Sequence, residues 1–72
     1  MTDTTAFKVA VTSAGISYGE IAEQLGITRG SLYNKIHNRS DFRQLELYKL
    51  FGLLNLDTWE KRQAIFFVDL VE

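Results

Sequence analysis

With 72 residues, no cysteine and no proline, the chain has room for one small domain (1–72) held by neither a disulfide nor a Cys-based zinc site. A domain this short buries only about 60% of its unfolded surface, so its core must be compact. The formal net charge of −1 and an isoelectric point near 5.7 lack the basic balance usual in stand-alone DNA-binding domains.

Apolar residues recur at helical spacing throughout, so the fold class expected is all-α, a bundle of about five short helices. The first helix is expected from about Thr4 to Ala14, with Phe7, Ala10, Val11 and Ala14 on one face and Gly15 as its stop. Ser17-Tyr18-Gly19-Glu20 has the spacing of a capping box, in which serine and glutamate satisfy orphan amides reciprocally. The helix it opens carries Ile21, Ala22 and Leu25 inward and stops at Gly26. Ile27 bridges a tight turn, and Thr28 is a good N-cap for a third helix, Arg29 to about His37, whose buried stripe is Leu32 and Ile36.

Asn38 suits a left-handed position at the end of that helix. A loop around Arg39–Phe42 leads to a fourth helix, from Arg43 or Gln44 to Leu54. A second capping box, Asp57-Thr58-Trp59-Glu60, is expected to open a fifth. The ending AIFFVDLV fits a strand or an extended tail as well as a helix, since it is rich in aromatic and β-branched residues.

The informative stretch is 17–38, SYGEIAEQLGITRGSLYNKIHN. Two short helices flank Gly26-Ile27-Thr28, a helix-turn-helix arrangement whose second helix presents its N-terminal residues outward. Ala22 is small where the helices approach, Gly26 can take positive φ, and Ile27 and Leu32 lock the turn against the core. Charge also gathers here. Between Thr28 and Lys49 the bases Arg29, Lys35, Arg39, Arg43 and Lys49 face only Asp41 and Glu46. That segment carries about +3, and the remainder about −4.

The run Ile21-Ala22-Glu23-Gln24-Leu25-Gly26-Ile27-Thr28-Arg29-Gly30-Ser31-Leu32 resembles the lambda-repressor-like (Cro and xenobiotic-response-element type) helix-turn-helix family. Similarity continues through Lys35-Ile36-His37-Asn38, Ser40-Asp41-Phe42 and LYKLFGLLNL, spanning residues 7 to 67. The chain looks like the small repressors, Cro-like proteins and antirepressors of temperate phages of Gram-positive bacteria. The resemblance implies a regulator of a lysis/lysogeny-type switch in the bacterial host cytoplasm. In its first form the regulator binds operator DNA through the exposed face of the third helix, as a dimer. The alternative is an antirepressor of the modulator-of-repression kind, which binds a companion repressor and alters or blocks its DNA binding.

Helix-turn-helix geometry then names the working residues. Arg29 offers a fork suited to guanine or phosphate; Asn34 can read adenine, and Tyr33 can pack on a thymine methyl or bond a phosphate. Tyr18, Ser31, Lys35, Asn38 and Arg39 are placed to hold backbone phosphates. Gly30 lets a backbone approach closely.

Two further expectations concern chemistry and surface. Catalysis is rejected: His37 is the only histidine, it sits where a helix C-terminus accounts for it, and Glu20, Asp57 and Glu60 are accounted for as caps. No metal, cofactor or small-molecule substrate is implied. Leu45, Leu47, Tyr48, Leu50, Phe51, Leu53 and Leu54 cover more of the fourth helix than one core-facing stripe, and Phe66, Phe67, Val68, Leu70 and Val71 follow. Part of that apolar surface is expected to stay exposed for a partner. The opening MTDTTAFKVAV is too polar and too poor in bases for a signal peptide. No apolar run nears the roughly 20 residues of a spanning helix. A soluble cytoplasmic protein, away from membranes, is expected.

Overall fold

The computed structural model describes residues 1–67, all-helical, with five helices: α1 (Thr4–Ala14), α2 (Tyr18–Leu25), α3 (Arg29–Ile36), α4 (Gln44–Leu53) and α5 (Trp59–Phe66). Their starts are set by local chemistry. Asp3 accepts from the Ala6 N–H at 3.0 Å, and Ser17 accepts from the Glu20 N–H at 3.1 Å while Glu20 reaches back to the Ser17 N–H. Thr28 accepts from the Ser31 N–H at 3.0 Å. Each bond occupies an amide that the helix itself leaves unpaired.

The cap of α5 corrects the sequence expectation by one residue. Thr58, not Asp57, is the N-cap, accepting from the Lys61 N–H at 3.3 Å. Asp57 instead pairs with the Lys61 ammonium one turn on, at 2.8 Å, and that cation holds its carboxyl below the ordinary carboxylate value. Two adjacent capping types competed, and the lysine four residues on engaged the acid.

The core gathers Phe7 and Val11 of α1, Ile21, Ala22 and Leu25 of α2, Leu32 and Ile36 of α3, Leu50 and Leu54 around α4, Leu56, and Ile65 and Phe66 of α5. Phe7 is its hub, fully buried, with ring centroids 6.0 Å from Phe42 and 5.9 Å from Phe66. Phe42, expected only as part of a loop, is a half-buried wedge that closes this cluster against Phe66 at 5.7 Å. Rings meeting in stacked and edge-to-face pairs add to their area burial.

As expected, not every apolar side chain of α4 reaches the core. Leu45 and Tyr48 stay exposed, as does Trp59 at the start of α5. Of the ending, Ala64–Phe66 continues α5 and Phe67 caps it. The question of an extended tail beyond falls on residues 68–72, outside the described ones. Among the described residues no helix is long and apolar enough to cross a membrane.

Candidate recognition face of the helix-turn-helix

The turn between α2 and α3 follows from Gly26. It takes φ 70°, ψ 32°, a left-handed conformation open to glycine without Cβ strain, and the Ile27 N–H returns to the Ala22 carbonyl at 3.0 Å. The chain then reverses in two residues and α3 starts at Arg29. Leu32 and Ile36 turn inward, at 1% and 4% exposure. Arg29, Gly30, Tyr33 and Asn34 consequently lie on the outer face, all exposed, with Ser31 half-buried beside them.

Two of the residues expected to hold phosphates do other work. Lys35 is buried, its ammonium 2.8 Å from Glu46 Oε1 and 3.2 Å from the Asp41 carbonyl. Burial works to raise the Glu46 carboxyl. The Arg43 N–H, which donates to it at 2.8 Å, together with the bond and charge of Lys35, outweighs that and holds it below the ordinary carboxylate value. Lys35 therefore joins α3 to α4 and presents no charge to a ligand.

Asn38 takes the expected left-handed conformation at φ 65° and stays exposed, but its amide bonds back to Thr2. Its Oδ1 accepts from the Thr2 N–H at 2.8 Å, and its Nδ2 donates to the Thr2 carbonyl at 2.9 Å. The Thr4 hydroxyl donates to the Ile36 carbonyl at 2.9 Å, so the N-terminal segment closes over the C-terminal end of α3.

Of the remaining predicted residues, Tyr18, Arg29 and Tyr33 converge on one cavity, whereas Gly30, Ser31, Asn34 and Arg39 do not line it. Tyr18 stacks on Phe7 with centroids 6.4 Å apart and keeps a face to solvent. Tyr33 packs against His37 at 4.2 Å, and the Arg39 guanidinium lies over its ring at 5.7 Å. The Arg39 N–H also donates to the Asn34 carbonyl at 2.8 Å, tightening the end of the helix. Between α1, α2 and α3, Tyr18, Tyr33 and His37 frame a cavity of about 330 Å³. Its floor is Leu32 and Ile36, its walls are Tyr18, Tyr33 and His37, and Lys8 and Arg29 complete the lining.

Sequence reasoning missed Lys8, Gly19 and the part played by His37. Lys8 carries no local signal, because only tertiary packing brings α1 beside α3. Gly19 did carry one: a glycine in the first turn of a helix sacrifices helix propensity and invites a reason. The reason is close approach, since a Cβ there would lie 2.5 Å from Arg29 Nη2. The arginine folds back across α2 and does not project freely.

Among the described residues no group of His, Cys, Asp and Glu is placed to hold a metal ion. The face combines an apolar depression, aromatic walls and cations. That composition can bind by burial and charge, and it offers no paired acid and base. No family model, curated protein or solved structure matches the chain.

Proposed function

We propose that the chain is a helix-turn-helix regulator of a phage-type genetic switch that docks its α2–α3 face on a companion repressor and alters that repressor's DNA binding. One observation carries this reading over direct operator binding. The face centres on an apolar-floored cavity walled by Tyr18, Tyr33 and His37 and flanked by Arg29. Tyrosine and arginine around a desolvated pocket are the residue types that dominate protein–protein hot spots. A duplex needs a convex helix surface and several phosphate-binding cations, and here Lys35 is buried against Glu46 while the Asn38 amide is bonded to Thr2. The acidic balance of the chain points the same way.

Operator binding by a dimer is the second reading, and one observation favours it. The first turn of α3 is exposed, capped by Thr28, and holds no acidic residue. Arg29 and Asn34 would then read bases, while Gly30 and Ser31 approach the backbone.

Gel-shift and co-elution experiments with a candidate companion repressor and its operator separate the two. Docking on the repressor predicts co-elution, a changed operator shift by that repressor, and almost no shift by this protein alone at moderate salt. A specific shift by the protein alone, with log affinity falling by about 0.9 per phosphate for each log unit of salt, would replace docking with operator binding.

A further inference from the structure

The cavity on the α2–α3 face has a charge pattern that identifies its occupant. We propose that it receives one aromatic side chain of the partner protein with a carboxylate within one helical turn of it, the ring entering the cavity and the carboxylate pairing with Arg29 and Lys8. This rests on the docking reading above and adds to it the chemistry of the residue that is bound.

Size is the first argument. About 330 Å³ stands at the low end of pockets that hold whole ligands and has ample room for one aromatic side chain. The closed floor of Leu32 and Ile36 admits no polar group without leaving it unpaired.

Charge is the second. Lys8 and Arg29 line the cavity and no carboxylate does. Among the described residues neither cation is in an ion pair, whereas Lys35 and Lys61 each hold an acid. A cationic partner residue would be repelled here, and an acid would meet donors already in place.

Preorganisation is the third. Tyr33 is held between His37 and Arg39, and Tyr18 is stacked on the immobile Phe7. The Arg29 guanidinium lies against Gly19, where a Cβ would crowd it, so the two rings are the groups held in place. Groups fixed before binding lose little further freedom on it.

The test uses two small probes with one ring and opposite charge, 3-phenylpropionate and phenethylamine, titrated into the protein and read by NMR. Phenylpropionate should shift the Leu32 and Ile36 methyl signals and the Tyr18 and Tyr33 rings, with Kd on the order of 1–10 mM. The amine should bind about tenfold more weakly. Arg29→Gln should weaken the acid about fivefold, and Gly19→Ala should do so too, by displacing an arginine that is still present. Both variants should keep the wild-type helical circular dichroism.

Equal binding of acid and amine, or shifts confined to other residues, overturns the proposal. The protein arm repeats the co-elution with Arg29→Gln and Gly19→Ala, which should lower repressor affinity about tenfold. Normal capture by both variants overturns the cavity's role and leaves docking intact. Failure of the wild type to capture the repressor removes the docking reading, and with it this occupant.

Discussion

The two ends of α3 are built on different principles. At its C-terminal end three polar groups are tied to remote parts of the chain: Lys35 to Glu46, Asn38 to Thr2, and the Ile36 carbonyl to Thr4. At its N-terminal end the only side-chain hydrogen bond among the described residues is the Thr28 cap on Ser31, and Arg29 and Gly30 are exposed. One end anchors the helix, and the other makes no such tie to the rest of the fold. Both ends carry the same kinds of residue in the sequence. Which of them face inward is decided by α4 and by the N-terminal segment, far away along the chain.

The largest effect should come from the side chain beneath both ends. Leu32→Ala removes a side chain at 1% exposure and should cost about 2–5 kcal/mol in urea denaturation. A variant as stable as the wild type would mean that the helix is not seated as described, and the contrast between its ends would lose its basis.

Next comes the anchored end. Lys35→Met leaves the Glu46 carboxylate buried with only the Arg43 N–H and should cost about 1.5–3 kcal/mol. The double variant Lys35→Met/Glu46→Leu should recover most of that loss, because a buried pair replaced by apolar side chains is often neutral. If Lys35→Met costs nothing, Lys35 is a surface cation after all and returns to the recognition face.

That comparison also marks what was legible in the sequence. Caps and turns are local, so Ser17, Thr28 and Gly26 announced α2, α3 and the turn between them, and the structure has all of them. Leu32 and Ile36 announced the buried stripe by spacing alone. Local signals fail where two neighbours can do the same job, as Asp57 and Thr58 both cap helices. They also fail wherever the partner is remote: Lys35 and Asn38 read as surface polar residues because Glu46 and Thr2 are not their neighbours in sequence. The exposed face of α3 was legible as a face. Its cavity was not, because Lys8 reaches it from another helix.

Acid should loosen the anchored end before it touches the exposed one. The Glu46 carboxyl is held below its ordinary value of 4.5, so its share of stability is complete above that pH. As pH falls below 4.5 through the lowered folded value, that share is lost. The loss should be smaller than that caused by Lys35→Met, and it should shrink in the Lys35→Met background, where part of its cause is gone. Urea midpoints measured at pH 6 and pH 3 in both backgrounds check this. An equal acid loss in both would move the effect to other carboxylates.

The smallest effect on stability belongs to the exposed face of α3, at Arg29, Gly30 and Asn34. Arg29→Ala and Asn34→Ala remove side chains that make no hydrogen bond and no ion pair to the described residues, so each should change the unfolding free energy by no more than about 0.5 kcal/mol. Gly30→Ala should be neutral or slightly stabilising, because its Cβ would meet nothing closer than Thr28 Oγ1 at 3.9 Å, and alanine favours a helix by up to about 1 kcal/mol. Regulatory activity should respond in the opposite order, with Arg29→Ala losing most of it while folding is untouched. A residue that costs nothing to remove from the fold, yet abolishes regulation, is held in place for a ligand. If Arg29→Ala and Asn34→Ala keep both stability and regulation, the exposed face of α3 is merely solvated. The working surface would then have to be sought at Leu45, Tyr48 and Trp59, where the remaining exposed apolar side chains of α4 and α5 lie.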